Sequence, residues 1–487
     1  MNFRVISYIL GWALNLESVF LLLSAAVGLL YGESAALSFV YAALICLAIG
    51  VPTVIKKPKN MVFFVREGFV TVALCWIVMS LFGALPFVIS GEIPRFTDAL
   101  FETVSGFTTT GASILTDVEA LSHCSLFWRS FTHWIGGMGV LVFLLAVLPL
   151  AGGSQMYLMQ AESPGPSVGK LVPKTRYTAL ILYALYILLS VAEFIFLLTG
   201  GMPAFDAVTT TFATAGTGGF GTKNDSIAGF SPYIQWGIGV FMLLFGVNFN
   251  LYFLLLIKRW KQALKSEELR AYLGIVAVAT TVICINTHTA GTPVGDTVRN
   301  AFFQVSSIMT TTGFATCDFG LWPALSKTVL VLLMMIGACA GSTGGGIKVS
   351  RILILLKRAR EELRRFIFPN SVSKIRLEKK ILDREVVHTT GAFLIVYVFI
   401  FAVSTLLVSI EGHDTETCFT AVAATINNIG PGLSLVGPTE NFSFFSDFSK
   451  YVLIFDMLAG RLELFPMLIL FSPRIWLKNP PTLRKHA

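Results

Sequence analysis

Thr108-Thr109-Thr110-Gly111 is the stretch on which the reading of this chain turns, because something close to it returns three times. The later copies are Thr214-Ala215-Gly216-Thr217-Gly218, Thr310-Thr311-Thr312-Gly313 and Asn427-Asn428-Ile429-Gly430. Each follows a short apolar run and sits between two long apolar segments. A single TTTG reads equally well as a helix C-cap with polar neighbours. Four of them at one topological place predict four pore loops in one polypeptide, folded around one ion path.

The surroundings of these loops are those of a membrane protein. The chain has 487 residues, 55% hydrophobic and 13% charged, with a mean hydropathy of +0.75. Soluble domains carry about 25% charged residues. Apolar stretches of about 20 residues or more, long enough to span a bilayer as helices, recur along the chain. They fall near 5–30, 36–55, 67–90, 128–150, 177–199, 233–257, 271–286, 327–356, 387–410 and 450–472. The expected fold is therefore all-α and polytopic, with ten transmembrane helices. Residues 5–30 are too long for a signal-peptide h-region and lack a clear small-residue cleavage site.

The net charge of +8 is explained by position. Basic residues gather around 56–59, 170–176, 258–270 and 357–384 and in the tail, after spans two, four, six, eight and ten. By the positive-inside rule, both termini and these segments lie in the cytoplasm, and no nucleic-acid partner is needed to account for the charge. The long basic segment 357–384 reads as a topology signal in contact with lipid headgroups or as a dock for a soluble regulator. The seven cysteines contain no CxxC pair and read as small buried hydrophobes.

The outer-side segments hold the four motifs. Each begins with an acid, Asp98, Asp206, Asp296 or Asp414, suited to capping a helix N-terminus. The apolar run that follows is too short to cross, so a re-entrant half-helix fits better than a span. The chain divides into two leading spans (1–60) and four repeats of span, half-helix, loop and span: 61–160, 161–265, 266–375 and 376–487. The candidate filter residues are Thr109, Thr110, Gly111, Gly216, Thr217, Gly218, Thr311, Thr312, Gly313, Asn428, Ile429 and Gly430. Glycine lets a carbonyl turn toward an axis, and carbonyl rings replace a cation's hydration shell. No acidic side chain lies within the motifs, which favours a weakly hydrated monovalent ion, potassium before sodium, over calcium.

The chain resembles the TrkH/TrkG–KtrB family of bacterial potassium uptake proteins, relatives of the plant and fungal Trk/HKT transporters. The resemblance covers essentially the whole length. It is carried by 106–112, Gly218-Gly219-Phe220, 309–316, 427–432, 129–142, Gly341 to Lys348 (GSTGGGIK) and Gly460-Arg461-Leu462-Glu463. The two leading spans match the TrkH type rather than the shorter KtrB type. Gly216-Thr217 departs from the small apolar residues the family more often carries in its second loop. The resemblance implies K+ as the transported ion and bound filter metal, a homodimer with one pore per protomer, a bacterial inner-membrane location and a TrkA-like cytosolic regulator with nucleotide-binding RCK domains.

A gate is expected where glycines interrupt the eighth span. Gly341, Ser342, Thr343, Gly344, Gly345 and Gly346, followed by Lys348, would open a helix, since each interior glycine costs about 1 kcal/mol. The same stretch could instead serve close helix packing. Arg461, near the middle of the tenth span, needs a polar partner. Asp456 and Glu463 lie about 140° and about 200° away round the helix, so carbonyls of the broken span are better candidates. The resemblance implies the same gate beneath the third loop.

His133 and Trp134 read as an interfacial anchor rather than a proton relay, and Glu193 as either a buried hydrogen-bonded acid or part of an ion path. No nucleophile–base pair or HExxH is present, which argues against an enzyme. The reading is channel-like, gated uptake of potassium down its electrochemical gradient. The alternative is a symporter coupled to protons or sodium.

Overall fold

The computed structural model describes residues 1–58, 65–139, 175–289, 293–369, 374–378 and 380–476. The expected basic segment at 170–176 lies largely outside this set, as do the second half of the span at 128–150, the boundary at 160 and the tail beyond Trp476.

Helices dominate because long apolar runs with few polar groups can satisfy their backbone only internally. In chain order they are α1 (Phe3–Leu30), α2 (Ala36–Ile55), α3 (Val65–Gly83), α4 (Leu85–Ser90), α5 (Phe96–Phe107), α6 (His123–Met138) and α7 (Thr175–Thr199). Next come α8 (Ala204–Gly216), α9 (Pro232–Phe245), α10 (Phe249–Leu256), α11 (Trp260–Leu264), α12 (Glu267–Thr287) and α13 (Val294–Met309). The remainder are α14 (Ala324–Ile336), α15 (Val349–Ile367), α16 (Arg384–Ser409), α17 (Thr415–Ile426), α18 (Asp447–Arg461), α19 (Phe465–Leu470) and α20 (Pro473–Trp476). A two-stranded antiparallel hairpin, β1 (Arg376–Leu377) and β2 (Lys380–Ile381), joins α15 to α16.

Among the described residues, six helical stretches are long and apolar enough to cross a membrane, or seven where the bent pair α9–α10 is taken as one span. The other expected spans, 128–150, 327–356 and 450–472, are divided or only partly described. Two expectations of continuous helix are thereby corrected. The stretch 233–257 bends by 90° between α9 and α10, and 450–472 breaks between α18 and α19. The break in 327–356 is longer than the glycine run, starting at Gly337 and ending at Lys348.

The long helices turn apolar side chains outward, as Leu22, Leu23, Leu44, Ile395 and Phe399 show, which suits lipid. The short helices α5, α8, α13 and α17 do the opposite. Every residue from Ala99 to Phe107 of α5 is buried, as is every residue from Thr417 to Ile426 of α17 except the half-buried Phe419. A helix buried all round is a core element rather than an interfacial one.

Packing runs in a cycle. α8 lies on α6, α13 on α9, α17 on α14, and α5 on α18. Each short helix thus leans on the helix that follows the short helix before it, and the first leans on the last. The leading helices α1 and α2 pack on each other and reach α3 and α6 from outside this cycle.

Candidate functional site

The four short helices end in one backbone pattern. In the first, Thr110 N donates to Ser105 O at 2.9 Å and Thr109 N to Gly106 O at 3.1 Å. The same pair of bonds recurs from Gly218 N to Ala213 O (2.8 Å) and Thr217 N to Thr214 O (2.9 Å). It recurs again at Thr312 N to Ser307 O (2.8 Å) with Thr311 N to Ile308 O (3.1 Å), and at Ile429 N to Ala424 O (2.8 Å) with Asn428 N to Thr425 O (3.1 Å). This is the Schellman closure, which needs a left-handed residue. Thr109, Thr217, Thr311 and Asn428 supply it, with φ of 55°, 55°, 60° and 55°. Threonine is an outlier there, at about 1–2 kcal/mol each.

Two residues further on, each loop has a glycine at positive φ: Gly111 (80°), Gly219 (81°), Gly313 (90°) and Gly430 (98°). The second loop is therefore in a different register from the motif reading. Gly219, not Gly218, matches Gly111, and Gly216 is still helical. The matching tier above the left-handed residues is Thr110, Gly218, Thr312 and Ile429.

These glycines close a ring. A methyl on Gly111 would lie 1.9 Å from Gly218 O, on Gly219 2.1 Å from Thr312 O, on Gly313 2.1 Å from Ile429 O, and on Gly430 2.8 Å from Thr110 O. Each loop presses its glycine against the carbonyl of the next, and the fourth returns to the first. The ring carbonyls come from one tier of residues, and the short helices direct the negative ends of their dipoles at the same place.

Side chains lock the corners. The hydroxyls of Thr108 and Thr110 pair at 2.8 Å, as do those of Thr310 and Thr312. Asn428 Nδ2 donates to Thr110 Oγ1 and to Met457 O, each at 2.9 Å. Behind the first two loops, Arg129 Nε donates to Glu102 Oε1 at 2.8 Å, and both side chains are fully enclosed. Glu102 also accepts from Ser113 Oγ and Ile114 N, while Arg129 reaches Gly221 O and stacks over Phe220. His133 is a correction. It is no interfacial anchor but is buried between the first two loops, at 2.8 Å from Gly106 O through Nδ1 and accepting Phe220 N–H at Nε2. With Nε2 an acceptor, the bonding assigns a neutral ring protonated at Nδ1.

The acids of the outer segments play different parts. Only Asp414 caps its helix, accepting Thr417 N at 2.9 Å. Asp98 pairs with the buried Lys450 at 2.6 Å, Asp206 accepts Thr222 Oγ1, and Asp296 pairs with Arg299.

On the helix side of the ring sits the loop 337–348. Gly345 N donates to Thr311 Oγ1 at 2.6 Å, and methyls on Gly344 and Gly345 would collide with Thr310 O and Asn427 O at 2.8 and 2.3 Å. Cys339 N donates to Gly246 O, and Gly341 O accepts from Phe249 N, so the loop also closes on the α9–α10 break. Ser342 Oγ donates to Cys339 O, and Gly346 (φ 74°) packs on Gly337 at the loop's neck. Lys348, at φ 80°, donates from Nζ to Gly344 O. Arg461, the last residue of α18, donates to Thr343 O (2.9 Å), Gly137 O (2.9 Å), Gly136 O and Thr109 Oγ1 (3.3 Å). It joins the loop, the first corner of the ring and the end of α6. Glu193 is buried in α7 against the side chain of Thr214, the residue of the second short helix whose carbonyl accepts Thr217 N.

Glu102, Arg129 and the bridging role of His133 escaped the sequence reading. The available signal for Glu102 was a second carboxylate, a turn beyond Asp98, inside a half-helix expected to be buried, which requires an enclosed cation.

Comparison with known proteins agrees with this architecture. Residues 36–478 match the family described as TrkH, cation transport protein. The Trk system potassium uptake protein TrkH of Salmonella typhimurium is 40% identical over 488 residues, covering 98% of this chain and 100% of that one. TrkG of Escherichia coli K12, also a Trk system potassium uptake protein, is 34% identical over 483 residues, covering 97% and 98%. The crystal structure of the potassium transporter TrkH from Vibrio parahaemolyticus superposes with a TM-score of 0.88 at 36% identity, covering 98% of this chain and 100% of that one. These are transport proteins rather than enzymes. The chain belongs to the TrkH family of cation transport proteins.

Proposed function

We propose that this chain carries potassium into bacteria across the inner membrane, through the ring and past the loop beneath it. One observation supports the reading above the others: four loops of a single polypeptide close glycine-to-carbonyl on one another. Such a ring offers oxygens at a fixed spacing to an ion that sheds its water, and it carries no carboxylate to favour a divalent ion. The filter on this reading comprises Thr109 to Gly111, Gly216 to Gly219, Thr311 to Gly313 and Asn428 to Gly430. The path is wrapped by the four units 61–160, 161–265, 266–375 and 376–487, with 1–60 outside them.

The gate is the loop 337–348, which includes Gly341 to Gly346 and Lys348, held across the path by Arg461. Both termini and the basic segments face the cytoplasm, where an inside-negative potential contributes about 2.3 kcal/mol per charge per 100 mV toward uptake. That driving force makes channel-like conduction sufficient. The assembly is a homodimer with one path per protomer, and a TrkA-like ring with nucleotide-binding RCK domains docks on the cytoplasmic side.

The test is rubidium flux into proteoliposomes by the purified chain and by Gly313→Ser. A side chain at φ 90°, 2.1 Å from Ile429 O, cannot be seated without moving the ring. Loss of potassium-over-sodium preference is expected. An unchanged preference in a folded variant removes the filter assignment.

A further inference from the structure

We infer that Glu268 is a positioning residue for the loop 337–348 and couples it to the cytoplasmic hairpin β1–β2. The inference rests on reading that loop as a gate. It starts from the loop's neck. Lys348 N donates to Ile336 O at 2.9 Å and Val349 N to Ala338 O at 3.0 Å, which zips the two ends together. Beside this neck, one oxygen of Glu268 receives a backbone N–H from each side, Ala340 N at 2.7 Å and Ser350 N at 3.1 Å. Both bonds are buried. Ser350 also lies in the first turn of α15, where a free N–H and a helix dipole both favour a carboxylate. A single side chain from α12 therefore holds the entry and the exit of the loop.

Glu268 itself lies in the first turn of α12, and that turn is held from the other side. Ser266 caps α12, its hydroxyl accepting from Leu269 N. Glu378, at the turn of the hairpin with φ 52°, accepts through one oxygen from Ser266 Oγ (2.8 Å), Glu267 N (2.8 Å) and Glu268 N (3.4 Å). Lys357 of α15 bonds Glu267 and also donates to Arg376 O at 2.8 Å, a second fastening of the hairpin. The first turn of α12 is thus clamped between two carboxylates. Glu378 reaches it from the hairpin, and Glu268 reaches from it to the loop. Withdrawing the hairpin removes the acceptor for Ser266 and Glu267, frees that turn, and with it the residue that pins the neck. The position of the hairpin then biases the seating of the loop, with the first turn of α12 as the element both ends act upon.

Rubidium uptake by the purified full chain in proteoliposomes tests this with Glu268→Ala, Glu268→Gln, Glu378→Ala and the double alanine variant. Glu268→Ala leaves two buried N–H groups without their acceptor and should raise flux roughly tenfold. Potassium-over-sodium preference should stay unchanged, because the ring is untouched. Glu268→Gln keeps an acceptor oxygen and should stay close to the original flux. Glu378→Ala should raise flux, and the double variant should add little to Glu268→Ala, since both act on one path. Flux unchanged in Glu268→Ala while Arg461→Ala raises it overturns the role of Glu268 and leaves the gate standing. Flux unchanged in Arg461→Ala and on deleting 341–346 overturns the gate itself. If Glu268→Ala does not purify as monodisperse protein, Glu378→Ala carries the test, because its side chain touches none of the buried loop, and unchanged flux there overturns the coupling.

Discussion

Replacing Arg461 with alanine should unseat the loop beneath the ring. Among the acceptors of Arg461 named above, Thr343 O, at 2.9 Å, belongs to the loop. Gly136 O, Gly137 O and Thr109 Oγ1 belong to the surrounding wall and stay in place whether the loop is seated or displaced. The seated state therefore loses one charge-assisted hydrogen bond relative to the displaced state, about 1.5–3 kcal/mol. At about 1.4 kcal/mol per decade, the ratio of displaced to seated loop rises roughly ten- to a hundredfold. The assay is initial-rate rubidium uptake into proteoliposomes at a clamped voltage, normalised to protein that elutes monodisperse. Arg461→Lys is the paired control. It keeps a positive charge beside the path but lacks the fork that spans loop and wall, so it should fall between the original chain and the alanine variant. Unchanged flux in folded Arg461→Ala would refute the tether. A lysine variant indistinguishable from the original would show that charge, not the bond to Thr343, restrains the ion.

Three further outcomes are expected. Thr311→Val keeps the shape of the side chain but deprives buried Gly345 N of its acceptor at 2.6 Å, so flux should rise, read in the same uptake assay, and unchanged flux contradicts this tie between ring and loop. Glu102→Ala leaves Arg129 enclosed without its carboxylate, a loss of about 3–5 kcal/mol; the melting temperature in detergent should drop markedly, and an unchanged value contradicts the clamp. The hydroxyl and backbone N–H of Thr417 hold the Asp414 carboxyl below the usual carboxylate range. A lowered folded-state value stabilises the protein above the ordinary carboxylate pKa and is lost as pH falls through the folded value. The difference in melting temperature between the original chain and Asp414→Asn should therefore shrink below about pH 4.

The ring was legible in the residues because its demands are chemical. A loop at membrane depth needs glycine to aim carbonyls and hydroxyls to tie its corners, and TTTG states both. The second loop was misread in register because Gly216, Gly218 and Gly219 crowd together, and only backbone angles reveal that Gly219 carries the turn. The breaks near 246–248 and 462–464 were hidden in apolar surroundings. The first passes as apolar to a hydropathy window, and its one sign was Asn248, whose side chain caps the new helix at Asn250 N (2.9 Å). The second is marked by Pro466, whose ring excludes the helical carbonyl of Leu462, but an apolar run around it hides the break from a hydropathy window. Leu462-Glu463-Leu464 leaves the helix while Arg461 is held by four distant acceptors and Glu463 by Arg351, at φ of 56° and 67° for its last two residues. His133 was misplaced because the Trp134 beside it suggested a membrane boundary, whereas α6 begins at His123 and carries the imidazole well inside.

Among the described residues, α9, α14 and α18 are each followed by a break in the helix, and the break after α14, the loop 337–348, is the longest. Four identical subunits could not arrange this, for a loop the size of 337–348 repeated about an axis would meet its own copies there. In a single chain the one long loop can close on unlike neighbours: Thr343 N donates to Phe245 O, and Arg461 joins Thr343 O to Gly136 O. Asymmetry under the ring is thus what the covalent joining of its quarters makes available.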